Sequence, residues 1–566
     1  MSNSLFRTKN IDKILRDAAT NEENAHGSGG LKRVLTLRDL TFFGIAAIIG
    51  AGSFSSLGEA VFKGGPGVVF LFIICAIACG FTAMCYAEFA SRIPVAGSAY
   101  TYAYASFGEL FAWIIGWALI MEYSIGNIYV AFSWSDYFTS FLHKINIHIP
   151  DYLTCSYMEA KKAFMNNSSN AELTGAWNYA PTVGSFKIIF DLPALMINLF
   201  ITILVYKGVK ESRNFSNVMV ILKLIIVALV IGVGAYYVDP GNWLPVNDAG
   251  VASFMPNGFA GVMTAVSGVF FAYIGFDAIS VMAEESKNPQ RDLPRSMILS
   301  LVICTVVYIL LTLVLTGVLN YRMFEGVGDP LAKIFEVKNV GWMQAFVSVA
   351  AVIAMTSVLL VFQMGQPRIW MSMSRDGLLP PAFQRIHPKY QTPSFATIIT
   401  GLLVGVPILF TDKTFVLDFT SIATLFAFVL VCGGILLIPK KEKVAGKFNM
   451  PYVNSKYIFP LLIMCAVVII KLANKDYFSA LFNVTEDNAS LNISTIILWI
   501  VLIILAVFSY VKSFSLIPLL GLSSCLYLLT GMTGANWAWF GSWLALGLIF
   551  YFSYGYKKSR LAQTIL

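Results

Sequence analysis

The groups most able to do chemistry in this chain belong to its backbone. Gly44 to Gly58 reads GIAAIIGAGSFSSLG in the middle of the first long apolar segment, with Gly50, Gly52, Ser53, Ser55 and Ser56 where the run should be most regular. Glycine costs about 1 kcal/mol in a helix interior. In hydrocarbon a freed N–H or C=O is tolerated only where it faces protein or a wet cavity. A helix broken here turns open N–H donors of one half toward an anion and open carbonyls of the other half toward a cation. That arrangement suits a zwitterion. A second reading stands beside it: a small-residue face for close helix packing, which is common in membrane bundles.

Three ionisable side chains sit in comparable surroundings. Lys223 lies deep in NVMVILKLIIVALV, Glu122 in IMEYSIGN, and Asp277 at the end of VFFAYIGFD. Charges inside apolar spans are costly and face a partner or a cavity. A lysine held away from water can exchange a proton as its surroundings change; alternatively Lys223 snorkels to a membrane boundary. The four histidines, His26, His143, His148 and His387, fall in tails or loops, and seven of the eight cysteines lie in apolar segments where they act as small hydrophobes. Neither a metal site nor a disulfide framework is expected.

The elements that must position these groups follow from composition. The chain has 566 residues, 57% of them hydrophobic and 12% charged, with mean hydropathy +0.72. Soluble domains carry about 25% charged residues, so the chain reads as an all-α polytopic membrane protein. Its net charge of +8 comes from short basic clusters between apolar runs, which write membrane orientation and give no reason to expect nucleic acid. Residues 1–35 are polar, lack a signal-peptide core, and read as a cytoplasmic tail. About fourteen spans follow. With the N-terminus inside, 27 of the 39 Lys and Arg fall on the cytoplasmic side, which predicts a multi-pass protein of the cell membrane with both termini cytoplasmic.

Fourteen spans invite a search for repeats. If the first five form a unit (36–240), the next five (241–438) enter the bilayer upside down, and 439–566 adds four more helices. The sixth span should then be broken as well. It contains Gly268 and Gly275 around VFFAYIG, with Asp277 just beyond. Paired breaks in inverted halves point to a binding site near the bilayer midplane.

With these residues in view the chain resembles the amino acid/polyamine/organocation superfamily, and within it the cationic amino acid transporter branch. FFAYIGFDAISVMAEESKNPQRDLPRS from Phe270 to Ser296 matches nearly end to end; GAGSF, PVAGSAYTY from Pro94 and GQPRIWMSMSRDGLLP from Gly365 also match. Ser53 departs from the isoleucine that many relatives carry. The resemblance implies a LeuT-type 5+5 inverted repeat with helices 1 and 6 broken. It implies that Ala51, Gly52 and Ser53 offer N–H groups to a substrate carboxylate, and that carbonyls near Ile49, Phe271 and Ile274 accept its ammonium. Phe270 and Ala272 line the same stretch, and Phe271 is an aromatic lid or plain core. Lys223 takes a position that holds sodium in related carriers. Glu122 reaches toward the pocket or bonds a neighbouring helix. Asp277 caps a half-helix or moves protons, and Met355 shortens the side-chain cavity or fills core.

The functional expectation is a proton-coupled symporter of L-amino acids working by alternating access, with an exchanger as alternative and a sensor or channel less favoured. An enzyme is not expected, because membrane-depth acids are scattered rather than clustered with His or Ser. The proton gradient drives it without a cofactor. Its partners are the amino acid and the lipid bilayer, with a small single-helix membrane subunit left open.

Overall fold

The computed structural model describes residues 5–9, 35–50, 52–93, 98–166, 171–184, 186–208, 213–246, 250–390, 392–437, 448–483 and 489–561. Ala51, expected to offer a backbone donor, lies outside them, as do Pro94 to Gly97 of the second motif.

Backbone polar groups in lipid must be satisfied within their own segment, and helices dominate accordingly. Among the described residues the only strands are a short hairpin, β1 (Thr182–Val183) and β2 (Phe186–Lys187). α1 (Leu37–Ile48) opens on a capping box, where the Asp39 carboxylate accepts from the Thr36 N–H at 2.9 Å and hydroxyl at 2.6 Å. The chain then leaves the helix at Ile49 (φ −78°, ψ 96°), resumes as a π-turn over Gly52–Ser56, and continues as α2 (Leu57–Gly64). A Gly-Pro-Gly turn feeds α3 (Val68–Arg92), followed by the short α4 (Ser98–Ser106) and α5 (Glu109–Lys144). At 36 residues, α5 is about 54 Å long. The connection after it holds α6 (Tyr157–Met165), α7 (Ala171–Tyr179) and the hairpin. α8 (Leu192–Lys207), α9 (Arg213–Tyr236) and α10 (Gly258–Met263) follow.

The second interrupted span comprises α10, α11 (Val266–Phe271), a non-helical stretch at 272–276, and a 3-10 segment, Asp277–Glu285. Beyond it run α12 (Pro289–Val318), α13 (Pro330–Val337), α14 (Gly341–Arg375), α15 (Ser394–Ile408) and α16 (Lys413–Leu437). The last are α17 (Ile458–Ala473), α18 (Tyr477–Phe482), α19 (Ala489–Lys512), α20 (Leu516–Leu529) and α21 (Gly534–Phe550).

Each of the fourteen apolar stretches holds helix, but among the described residues six helical stretches are long and apolar enough to cross a membrane. α20 and α21 meet at a 115° bend, and α8, α15 and α17 are short. At 16 residues, α8 covers about 24 Å of a hydrocarbon core about 30 Å thick.

α5 is the central strut, packed along α14 and α16, while α12 lies along α3 and α1. α21 is fastened to α5 by tryptophans. Trp117 Nε1 donates to the Trp543 carbonyl at 2.9 Å, Trp543 Nε1 returns the bond to the Trp117 carbonyl at 3.1 Å, and the two rings stack at 4.9 Å.

Candidate functional site

The two breaks touch one another, as the close-packing reading of the glycines expects. A Cβ on Gly52 would sit 2.4 Å from the Ala272 Cα, and Gly275, at φ +116°, has Ala47 Cβ 2.9 Å from where its own would be. Only glycine allows backbones this close. A Cβ on Gly50 would meet Val358 Cγ2 at 2.4 Å, and on Gly268 the Ser56 carbonyl at 3.2 Å. Ser56 stitches the spans together, its hydroxyl lying 2.9 Å from the Gly52 carbonyl and 3.0 Å from that of Gly268.

Ser53 does not open outward. Its N–H and its hydroxyl both turn back on the Gly50 carbonyl, each at 3.0 Å, and Phe54 N–H shares that acceptor. The sequence reading offered the Ser53 N–H to a carboxylate; here the π-turn occupies it. The Ile49 carbonyl, assigned to a ligand ammonium, accepts instead from a protein ammonium. Lys223 is fully buried, and its Nζ donates to the carbonyls of Ala46 at 3.0 Å and Ile49 at 3.1 Å. It thus occupies the carbonyl end of α1, where a helix dipole favours positive charge.

Sequence reasoning missed Tyr308. Its hydroxyl, on α12, lies 2.8 Å from the Ile48 carbonyl and 2.8 Å from that of Ala272, so one side chain spans both breaks. In TVVYILLT it looks like any aromatic on an apolar helix; the only available signal is that a buried phenol needs a partner.

The remaining candidates present different faces. Phe271 stands edge-on to Tyr129 at 4.5 Å, whereas Phe270 packs on Phe428 at 5.8 Å. Ile274 N–H folds back to the Phe271 carbonyl at 3.2 Å. Met355 is completely buried on α14. Glu122 and Asp277 are also buried, and Glu122 Oε2 and Asp277 Oδ2 have no hydrogen-bond partner among the described residues. The same holds for the hydroxyls of Tyr86 and Tyr123. An unsatisfied buried polar atom costs about 1–3 kcal/mol, which a ligand or water would relieve.

A polar vestibule of about 820 Å³ opens beside the connection that follows α5 and descends to Ser55 and Tyr129. Over the Tyr129 ring lies the Lys413 ammonium, 5.6 Å from its centroid and paired with Asp136. The Lys413 N–H donates to Glu159 Oε1 on α6 at 3.0 Å, and Ser140 donates to Asp329 Oδ2 at 3.0 Å. Burial raises the Glu159 carboxyl and pushes Asp329 up to about 6. Tyr129 therefore lines the vestibule on one side and stands against Phe271 of the second break on the other.

Among the described residues no group of three or more His, Cys, Asp or Glu is arranged to hold a metal.

The amino acid permease family profile matches residues 35–502. The chain is similar to the branched-chain amino acid permease BcaP of Bacillus subtilis, 41% identical over 442 residues, 78% of this chain and 87% of that one. It is 34% identical over 563 residues to the methylthioribose transporter of the same bacterium, covering 99% of each. A vacuolar cationic amino acid transporter 4 of Arabidopsis thaliana is 33% identical over 437 residues, 77% of this chain and 67% of that one. These relatives are transporters, not enzymes, and the chain belongs to the amino acid permease family.

Proposed function

We propose that the protein carries amino acids across the cell membrane by alternating access, with one proton entering on Lys223. The observation that carries this reading is the Lys223 ammonium seated on the Ala46 and Ile49 carbonyls at the first break. A protonated lysine there holds the carbonyl end of α1; loss of the proton removes the charge and frees that end to move. Proton binding and the position of the first span are then linked, and a gradient across the membrane drives uptake without a bound cofactor.

The substrate is held between the two breaks by its charged ends. Gly52 faces the carboxylate, while the Phe271 and Ile274 carbonyls face the ammonium once Tyr129 and Phe271 part. The basic-residue pattern supports a cytoplasmic location for both ends of the chain. Names of relatives span branched-chain amino acids, cationic amino acids and methylthioribose. A zwitterion fits the charge layout better than a neutral sugar.

Purified protein in liposomes decides the matter. Labelled amino acid should accumulate under an imposed pH gradient without sodium, and Lys223→Met should lose accumulation while the protein still folds. Normal concentrative uptake by that variant would end the coupling assignment. Counterflow without net uptake would favour an exchanger. A thermal-shift screen over the twenty amino acids and methylthioribose identifies the ligand, since ligand at a hundredfold excess over Kd stabilises by about 2.7 kcal/mol.

A further inference from the structure

At the opposite end of α5 from the vestibule, two acidic residues receive both ends of the chain. Glu109 opens α5 and is fully buried. Its carboxylate accepts from Tyr104 on α4 at 3.0 Å, from Tyr551 at 3.0 Å, and from the Ser559 hydroxyl. Asp376 follows α14. Its carboxylate accepts from Tyr100 on α4 at 2.8 Å and from Lys9 Nζ at 3.1 Å, while its backbone carbonyl accepts from the Arg560 N–H at 3.0 Å.

Each acid stands next to a glycine in the left-handed region, and each glycine makes room for one chain end. Gly108 (φ +99°) lies where a Cβ would be 2.6 Å from the Phe6 carbonyl carbon. Gly377 (φ +82°) lies where a Cβ would be 2.4 Å from the Lys558 carbonyl oxygen. Three backbone bonds seat the chain start: Glu109 N–H to Arg7 at 3.0 Å, Leu110 N–H to Leu5 at 3.2 Å, and Lys9 N–H to Tyr104 at 3.1 Å. The two notches share one plan. Each combines an acid, a positive-φ glycine, a tyrosine from α4 and a docked chain end.

α4 lies between the notches and the second interrupted span. Tyr100 and Tyr104 are one turn apart and bond the two acids, whereas at the start of the same helix the Ser280 hydroxyl donates to Ser98 at 2.8 Å. Ser280 belongs to the 3-10 segment that continues the second break. Motion of the 3-10 segment away from α4 would break this bond.

We infer that the two chain ends form a clasp which, through α4, holds the second interrupted span closed on this face and sets how often it opens. The inference rests on the alternating-access reading, but its test reads accessibility rather than transport, so the two can fail separately. The probe is a membrane-impermeant maleimide reacting with a cysteine placed at Ala283, buried in the 3-10 segment, in a background where the exposed Cys465 is replaced by serine. Tyr100→Phe with Tyr104→Phe should raise the labelling rate roughly tenfold, the population shift expected from two lost hydrogen bonds. Deleting residues 2–9 should raise it too, and Ser559→Ala should give a smaller rise. Unchanged labelling in all three overturns the clasp. If the double variant fails to fold, the deletion and Ser559→Ala decide alone. A drop in melting temperature without any gain in labelling means that the ends only brace the fold, and that result also overturns it.

Discussion

Single side chains at the breaks carry separable consequences. Tyr308→Phe leaves the Ile48 and Ala272 carbonyls without the phenol that serves both. A lost buried hydrogen bond of this kind costs about 1–3 kcal/mol, so the variant should unfold at a lower temperature in detergent and bind its ligand more weakly; unchanged values in both would mean the bridge is idle. Asp329 offers a test with a defined sign. Its carboxyl is raised from the ordinary aspartate range to about 6, so the folded protein holds the proton more tightly than the unfolded chain, and this group's contribution to stability falls as pH rises between about 4 and 6. Asp329→Asn keeps an acceptor for Ser140 and should flatten that part of the melting-temperature profile. An identical profile would rule out the assignment. These residues also show what was legible. Lys223 declared itself because a charge amid NVMVILKLIIVALV has few places to go. Tyr308 did not, since its phenol's partners are main-chain atoms far along the chain. Ser53 was misjudged in detail, because a π-turn satisfies its N–H locally and nothing in GAGSF distinguishes that turn from an open helix end.

At the scale of elements, glycine decides how near the interrupted spans can come. Gly52→Ala would push a methyl against the Ala272 backbone, which cannot rotate away, and overpacking of this sort costs about 1–3 kcal/mol. Gly80→Ala is the matched control. On α3 its new methyl would meet only Leu301 Cδ2, at 3.9 Å, and alanine in place of a helical glycine stabilises by about 1 kcal/mol. Thermal melts of the two variants should therefore move in opposite directions; a parallel shift would show that the contact between the breaks bears no strain. Both breaks were readable from paired glycines in corresponding spans. Their mutual contact was not, because hydropathy patterns locate spans without saying which of them touch. α8 and α15 are shorter than their apolar stretches, and hydrophobicity continues through turns that geometry ends.

For the whole molecule, composition sufficed to assign a helical membrane protein, and the family profile agrees with the resemblance carried by the sixth-span motif. The polar ends were opaque to sequence reasoning, since their partners lie hundreds of residues away. Glu109 meets Tyr551 across 442 positions and Ser559 across 450. That separation matters while the protein is being made. When α5 enters the membrane, Tyr104 is already present to greet Glu109, but the other two hydroxyls have yet to be translated. The growing polypeptide carries this acid with one of its three donors through most of its synthesis, and the bond set closes only when Tyr551 and Ser559 arrive.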